Sequence, residues 1–253
     1  MINFSNPKSE NIKYKKQIIK SITRVFNSNK YILSDEVMKL ENEFAKFINT
    51  NYCIGVANGT DALEISLKSL NVGKDDEVIT VSHTAPATIS SIYSVGAIPK
   101  FLDIEEDYYT LDPQIIEKAI TKKTKCLILV HIYGLSADIE KVKKICDKNS
   151  IFLIEDVSQA HGAYFKNKRL GSVGQIGCFS CYPTKNLGAI GDAGLITTNS
   201  KKIYNKIIKM REYGWDNKKI VRLNGRNSRL DELQAAILRV KLKFLDKDNE
   251  KRR

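Results

Sequence analysis

Two short runs indicate the fold class: Cys126-Leu127-Ile128-Leu129-Val130 and Ile151-Phe152-Leu153-Ile154-Glu155. Neither run alternates apolar with polar residues, and strands buried on both faces of a mainly parallel sheet have this composition. Between them, Ile139, Val142 and Ile145 recur at the spacing of one helix face. Strand, helix and strand in this order predict an α/β domain whose mainly parallel sheet is sandwiched by helices.

The same alternation continues outward along the chain. Leu63, Leu67 and Leu70 form a second helical pattern. Sites in α/β sheets lie at the carboxyl ends of the strands, so the residues that follow each strand are candidates for function. The predicted strands are Tyr52–Ala57, Val78–Val81, Ile98–Asp103, Cys126–Val130, Ile151–Glu155 and Cys178–Tyr182.

Helical patterns flank the sheet on both sides. Ser34 is a candidate N-cap for a helix whose apolar face carries Val37, Leu40, Phe44 and Phe47. We expect an N-terminal helical segment (1–50), a large α/β domain (51–228) and the start of a long helix (229–253). That long amphipathic helix is predicted from Leu230, Leu233, Ile237, Val240 and Phe244.

Composition limits the class of protein. Of the 253 residues 42% are hydrophobic, which suffices for a substantial core and excludes a disordered chain. No apolar run approaches the roughly 20 residues of a membrane span, and the first residues lack the pattern of a secretory signal. We therefore expect a cytoplasmic protein that does not associate with membranes.

The net charge of +12 raises the alternative of nucleic-acid binding. The lysines are spread along the chain, however, and no basic run is interleaved with aromatic residues as a nucleic-acid surface needs. Most of these charges are expected on solvated helix faces. A basic surface still favours an anionic substrate such as a nucleotide.

Five cysteines are an odd number, and disulfides are not expected in a cytosolic chain. Cys178 and Cys181 form a CxxC, but no second ligand pair has the spacing of a zinc site. The pair also lies in a predicted strand, where residues three apart face opposite sides. We predict no metal site.

Four stretches follow predicted strand ends, and the first is Asn58-Gly59-Thr60-Asp61-Ala62-Leu63. Free N–H groups at a helix start, together with a Thr hydroxyl, suit a phosphate. The same residues are equally suited to a plain turn with an N-cap. Both interpretations stay open from the residues alone.

The second stretch, Ile154–Gly162, closes an apolar strand with two carboxylates and a histidine. The Asp156 carboxylate could pair with a cationic ring nitrogen and hold its proton. The alternative is that Asp156 caps the following turn and that His161 is a structural histidine.

The third stretch, Phe179–Gly194, places Lys185 among small residues and glycines just past a strand. A lysine whose charge is disfavoured can act as an amine nucleophile and form a Schiff base, whereas the alternative is an ordinary surface lysine. The fourth stretch, Gly225-Arg226-Asn227-Ser228-Arg229, is a polar loop that leads into the C-terminal helix.

Taken together, a phosphate turn, a strand-end acid and then a lysine resemble the fold-type-I pyridoxal-phosphate enzymes. The whole chain resembles the DegT/StrS family of sugar-nucleotide aminotransferases, and its lysine motif is highly specific. The matching stretches are Asn58–Leu63, Ser82–Thr88, Val130–Gly134, Glu155–Asp156 with Gln159–Gly162, Tyr182–Gly188 and Gly225–Ala236.

The resemblance implies the fold-type-I large domain and the cofactor pyridoxal phosphate. Lys185 would bind the cofactor covalently and shuttle protons during transamination. Asp156 would keep the pyridine nitrogen protonated, and Gln159 would bond the ring hydroxyl. The implied reaction converts a nucleotide-linked keto-deoxysugar to an amino sugar, with glutamate as amino donor, as in the biosynthesis of amino sugars and polysaccharides.

The phosphate of the cofactor would be held by the Gly59–Thr60 turn and the Ser180 hydroxyl. Asn227 would reach the phosphate of the neighbouring subunit's cofactor, because family members build each site across a homodimer interface.

Three departures from the family stand out. Ala85 replaces an aromatic residue that lies over the cofactor ring in many relatives, so His83 is a candidate substitute. Cys181 also stands where relatives have an aromatic residue, which we expect to affect packing alone. Family members continue past Gln234-Ala235-Ala236 into a smaller C-terminal domain, and we expect that domain to be largely missing from a truncated chain.

Two further alternatives follow from the resemblance. A related sugar dehydratase carries histidine in place of the Schiff-base lysine, so Lys185 argues against it. An inactive fragment that acts as a dimerising or ligand-binding module would keep every cofactor residue, and a colourless protein would support it.

Overall fold

Helices and strands alternate through most of residues 5–252, the part of the chain that the computed structural model describes. The strands are β1 (Tyr52–Val56), β2 (Glu77–Val81), β3 (Ile98–Leu102), β4 (Thr124–Val130), β5 (Phe152–Asp156), β6 (Tyr164–Phe165), β7 (Lys168–Arg169), β8 (Ile176–Ser180) and β9 (Gly194–Thr198). The helices are α1 (Pro7–Lys13), α2 (Lys15–Ser28), α3 (Asp35–Ile48), α4 (Gly59–Ser69), α5 (Pro86–Ser94), α6 (Ile116–Ala119), α7 (Ile139–Lys148), α8 (Lys201–Met210), α9 (Glu232–Leu242) and α10 (Leu245–Glu250).

Seven of the strands form one sheet in the order β1-β9-β8-β5-β4-β2-β3, while β6 and β7 form a separate hairpin. The pairs β2–β3, β2–β4, β4–β5 and β5–β8 are parallel. The strand β9 runs antiparallel to both of its neighbours, β1 and β8. The prediction of a mainly parallel α/β sheet is confirmed. The carboxyl ends of β1, β5 and β8 and the start of β9 consequently lie at one edge.

The sheet separates two hydrophobic clusters. One includes Leu63 and Ile139, from the α4 and α7 side, and the other includes Phe44 and Leu238, from the α3 and α9 side. Cys178 lies in the first cluster and Cys181 in the second. Burial raises the pKa of the Cys181 thiol to about 12. The two thiols of the CxxC therefore serve different sides of the sheet as small apolar groups.

The first turn of α3 is capped by a residue that is distant in sequence. Ser34 occupies the N-cap position, but within residues 5–252 its side chain makes no capping hydrogen bond. Instead the buried carboxylate of Glu232 accepts the N–H groups of Ser34 (2.6 Å), Glu36 (2.7 Å) and Val37 (3.1 Å). The prediction that the Ser34 side chain caps the helix is wrong, because a negative charge at a helix N-terminus is the stronger partner.

The predicted long helix after residue 229 is divided into α9 and α10. Of the predicted stripe, Leu230 and Ile237 are buried, but Leu233 is 39% exposed. Other buried positions of α9 lie outside the stripe: Ala235, Leu238 and Leu242. The helix packs against both α2 and α3, so its buried surface is wider than one apolar stripe.

The predicted segments 1–50 and 229–253 are described from residue 5 and up to residue 252, because residues 1–4 and 253 lie outside the described residues. Among residues 5–252, no helix combines the length and apolar character needed to cross a membrane.

Candidate active site

The phosphate turn is built by the end of β1 and the start of α4. Asn58 is the N-cap, and its side chain accepts the N–H of Asp61 at 2.8 Å. The first N–H groups of a helix have no acceptor within it and carry partial positive charge. A Cβ at Gly59 would lie 2.5 Å from Ser180 Cβ. Glycine is needed there because the turn approaches Ser180 this closely.

A second glycine places β9 directly beneath this turn. A Cβ at Gly194 would lie 2.3 Å from the Asn58 carbonyl oxygen. Gly194 also pairs with Val56 on β1 and with Ser180 on β8. The phosphate turn therefore rests on the sheet edge with no side chain between them.

Asp156 is the last residue of β5 and its side chain is buried. Its carboxylate accepts the Thr88 hydroxyl and the Ser158 N–H, both at 3.1 Å. The Ser158 hydroxyl in turn accepts the Ser180 N–H at 3.1 Å. Asp156 is thus linked through Ser158 to Ser180 and the phosphate turn, and its carboxylate has capacity for a further donor.

Lys185 lies in the loop after β8, where its side chain is half-buried. Burial lowers the pKa of Lys185 below its ordinary value, while the charge of Asp156 acts in the opposite direction. A lowered pKa increases the fraction of neutral amine, which a nucleophilic lysine requires. An ordinary surface lysine has neither feature.

A cavity of about 580 Å³ is lined by Lys185, Gln159, Glu10 of α1 and the α1 N-cap residue, Asn6. The Gln159 Oε1 atom accepts the N–H of Tyr133 at 2.9 Å. This bond fixes the amide, so that its Nε2 group is the part of the side chain left to donate to a ligand.

An aromatic group lies next to Gln159. The Tyr133 hydroxyl is 3.2 Å from His83 Nε2, and the two ring centroids are 5.6 Å apart. Tyr109 also lies near His83, with the two ring centroids 6.4 Å apart. Ala85, where many relatives have an aromatic residue, is the exposed N-cap of α5.

Asn227 lies apart from these residues. It is exposed, forms an isolated bridge with Glu212 and does not line the 580 Å³ cavity. The adjacent Ser228 is buried, and its hydroxyl accepts the Ala57 N–H at 3.2 Å. The structure thus brings six predicted site residues to one sheet edge and leaves the seventh on the surface. The six are Gly59, Thr60, Asp156, Gln159, Ser180 and Lys185.

Three polar partners at this edge are not among the residues predicted for the site: Thr88, Tyr133 and Ser158. Thr88 and Tyr133 lie within the stretches on which the family resemblance rests, and Ser158 follows Asp156 by two residues. Their positions in those stretches are the signal that could have identified them.

Comparison with known proteins places this chain in a family. Residues 13–253 match the DegT/DnrJ/EryC1/StrS aminotransferase family. The chain is 45% identical over all its 253 residues to the dTDP-3-amino-3,6-dideoxy-alpha-D-galactopyranose transaminase of Aneurinibacillus thermoaerophilus, and covers 70% of that protein. It spans 61% and 62% of two other curated relatives.

Solved structures give the same result. The crystal structure of Streptomyces venezuelae DesV superposes with a TM-score of 0.95 at 38% identity, covering 97% of this chain and 66% of that one. NtdA from Bacillus subtilis, solved with its bound cofactor PMP, has a TM-score of 0.86 at 31% identity and covers 92% of this chain and 53% of that one. The prediction of the fold-type-I pyridoxal-phosphate architecture is confirmed, and the chain belongs to the DegT/DnrJ/EryC1/StrS aminotransferase family.

Proposed function

We propose that the protein is a pyridoxal-phosphate-dependent aminotransferase that converts the keto group of a nucleotide-linked sugar to an amine. The observation that carries the proposal is the placement of Lys185. Its half-buried amine, whose pKa is lowered by burial, shares a sheet edge with the Asp156 carboxylate and the phosphate turn.

The residues present fit pyridoxal phosphate. When bound, this cofactor supplies an aldehyde that bonds to amines and a ring that accepts an electron pair. The close approach of Gly59 to Ser180 leaves backbone N–H groups and a hydroxyl for the phosphate. We assign Gly59, Thr60 and Ser180 to that group.

Asp156 holds a proton on the ring nitrogen in this proposal. An adjacent negative charge favours the protonated, cationic form of that nitrogen. The two donors that Asp156 already binds, Thr88 and Ser158, keep its carboxylate oriented. Gln159 donates from Nε2 to the ring hydroxyl, because its Oε1 atom is occupied by the Tyr133 N–H.

Lys185 would have two roles: its Nζ atom would hold the cofactor through its aldehyde carbon, with loss of water, and as a free amine it would carry a proton to and from the substrate carbon. Both roles need a neutral amine, which the lowered pKa supplies. The His83 ring, held by the Tyr133 hydroxyl, is our candidate for the group that stacks on the cofactor.

The substrate class rests on the comparisons and on charge. The relative from Aneurinibacillus thermoaerophilus is named for a dTDP-linked amino sugar, and a chain of net charge +12 favours an anionic substrate. Glutamate is the proposed amino donor. The five cysteines are all buried, unpaired thiols, as is typical of a reducing compartment, and we place the reaction in the cytoplasm.

We also propose a homodimer in which Asn227 binds the phosphate in the partner's site. Exposed apolar side chains lie on segments that adjoin this loop: Tyr213 donates its N–H to the Arg226 carbonyl, and Ile32 forms a bridge with Asp231. Exposed apolar side chains near a polar loop favour a protein interface there. Such an interface would bring Asn227 to a cavity that its own chain does not offer it.

Borohydride reduction tests the function. The full chain, mixed with pyridoxal phosphate, should turn yellow, and mass spectrometry after reduction should find the cofactor on Lys185. Lys185→Ala should lose the label, and its transamination rate should fall by about 10²–10⁴-fold, whereas Lys202→Ala, an exposed control, should keep both the label and the rate. A colourless protein would support the inactive fragment, and a label on another lysine would overturn the assignment.

A further inference from the structure

The loop that carries Lys185 is held from outside by the two C-terminal helices. We define the lysine loop as Tyr182–Gly191. Side chains from α9 and α10 reach it at three points, next to Lys185, in its middle and near its end. These helices are distant from the loop in sequence, and none of the proposed cofactor contacts lies on them.

The first anchor is Asn249 on α10. Its Oδ1 atom accepts from Asn186 Nδ2 at 3.0 Å, and its Nδ2 atom donates to the carbonyl of His161 at 2.8 Å. Asn186 Nδ2 also donates to that carbonyl at 2.8 Å, while its Oδ1 atom lies 2.9 Å from His161 Nδ1. This closed network fixes the residue that directly follows Lys185.

The second anchor is Lys241 on α9, whose buried ammonium group donates to the Gly188 carbonyl and, at 3.2 Å, to Asn11 Oδ1. Burial lowers the pKa of Lys241. Burying a cation costs free energy, and the hydrogen bonds of Lys241 to the lysine loop and to α1 offset that cost.

The third anchor is Gln234, two helical turns before Lys241. Its Oε1 atom accepts the Ile190 N–H at 3.0 Å, and its Nε2 atom donates to the Ile190 carbonyl at 3.2 Å. Both backbone groups of one loop residue are thereby satisfied by a single side chain.

We propose that α9 and α10 form a clamp that positions Lys185, with Gln234, Lys241 and Asn249 as its positioning residues. The inference rests on the proposed function, which gives Lys185 its role. A loop that contains glycines has many open conformations in water, and side-chain anchors along it select one of them. The clamp acts through the backbone of the lysine loop and touches neither cofactor nor substrate.

The clamp has an electrostatic consequence for Lys185. The charged or titratable groups around it are Asp156 from β5, His161 from the loop after β5, and Glu10 and Arg252 across the cavity. The pKa of Lys185 is lowered by burial, against the effect of Asp156. If an anchor is cut, the loop opens to water and the burial decreases, so the pKa of Lys185 rises toward 10.5.

Competitive acetylation measures that pKa in the full chain without added cofactor. The rate of Lys185 modification by acetic anhydride is followed against pH by mass spectrometry. In Lys241→Met and Asn249→Ala the pKa of Lys185 should rise, and each unit of rise should slow its labelling at pH 8 about tenfold. Lys243→Met and Lys247→Ala, exposed positions on the same helical segment, should label like the wild type.

Gln234→Ala provides a milder variant, because Gln234 is only half-buried. Hydrogen exchange of the Ile190 amide should accelerate in this variant, while amides of the central strands β4 and β5 keep the wild-type rate. Unchanged Ile190 exchange, or an unchanged Lys185 titration in folded Lys241→Met and Asn249→Ala, overturns the clamp.

Failure of the clamp and failure of the proposed function are distinguishable. If the wild type gives the borohydride label on Lys185 but the anchor variants titrate like it, the function holds and the clamp does not. If the wild type gives no label while the anchor variants shift the titration of Lys185, the clamp holds and the function fails.

Discussion

Glu155 and Asp156 are neighbouring carboxylates on β5 with opposite surroundings. Glu155 accepts the N–H groups of Gly171, Val173 and Gly174 at 2.7–2.8 Å and lies 3.3 Å from His131 Nε2. Asp156, by contrast, accepts two donors at 3.1 Å. Successive side chains on a strand face opposite sides, so one carboxylate serves the interior and the other faces the site.

The difference separates a structural carboxylate from one that can bind a ligand. The oxygens of Glu155 already accept hydrogen bonds from the backbone of residues 171–174. Those of Asp156 are oriented by two donors and retain capacity for a cationic partner. The burial of an acid is thus less informative about function than the number of donors that already occupy it.

Of the two carboxylate substitutions, Asp156→Asn should have the larger effect, and this effect should fall on the rate of half-transamination. The amide keeps the size of the side chain. Its oxygen can accept the Ser158 N–H and its nitrogen can donate to the Thr88 hydroxyl oxygen, but the negative charge is lost. We expect cofactor uptake to persist and half-transamination with glutamate to slow about 10²–10³-fold, while the free energy of unfolding changes by less than about 1 kcal/mol. Stopped-flow absorbance and urea unfolding measure the two effects. Near-normal turnover would mean that Asp156 is merely a cap.

Glu155→Gln should reduce stability more than turnover, the reverse of Asp156→Asn. Its amide nitrogen would face backbone N–H groups that need an acceptor, and the charge that strengthens these bonds would be absent. We expect a loss of about 3 kcal/mol in the free energy of unfolding, with half-transamination by the folded fraction reduced by less than about tenfold. Glu106→Gln, at an exposed position, is the control. Equal stability of the two variants would contradict the division between the carboxylates.

His131 and His161 are both buried, but they too differ in how many hydrogen-bond partners they have. Here we expect a smaller effect, on the pH dependence of stability. Both ring nitrogens of His131 have partners, since Nδ1 accepts the Ala137 N–H at 3.2 Å. His161 Nε2 has none among residues 5–252, and burial lowers the pKa of His161 from 6.5 to about 3. At pH values between about 3 and 6.5, His161 binds a proton in the unfolded chain but not in the folded one. Stability therefore falls as the pH drops through this window, by about 1.4 kcal/mol per pH unit.

Urea unfolding at pH 6, 5 and 4 checks this prediction. His161→Gln removes the titrating group, so its free energy of unfolding should depend less steeply on pH than that of the wild type. Parallel pH dependences would show that His161 accepts its proton in the folded protein as well.

Much of the fold and part of the site are predictable because the decisive interactions are local. The phosphate turn lies within one tetrapeptide, where Asn58 caps the helix and Gly59 makes the close approach. The strand predicted at 151–155 is shifted by one residue to Phe152–Asp156, since an apolar run shows a strand more clearly than its ends.

The rest depends on partners that are distant in sequence. Glu232 replaces Ser34 as the cap of α3, and a glutamate on a helix gives no sign of this role. Gln234 and Asn249 are residue types common on solvated helices, so their contacts with the lysine loop are invisible before the chain folds. β9 was missed because it directly follows a glycine-rich loop. The roles of the cofactor residues, including Asn227, stay predictions.

The antiparallel strand β9 has a consequence for how the protein folds. Val56 on β1 pairs with Gly194 on β9, although most of the sheet lies between them in sequence. Contacts this distant along the chain are slow to form, since a long loop must close first. During synthesis, the strands β2 to β5 can pair before β9 has been translated, and until then β1 has no partner strand. The phosphate turn is therefore translated before the strands β2 to β5, yet its contact with β9 forms after they can pair.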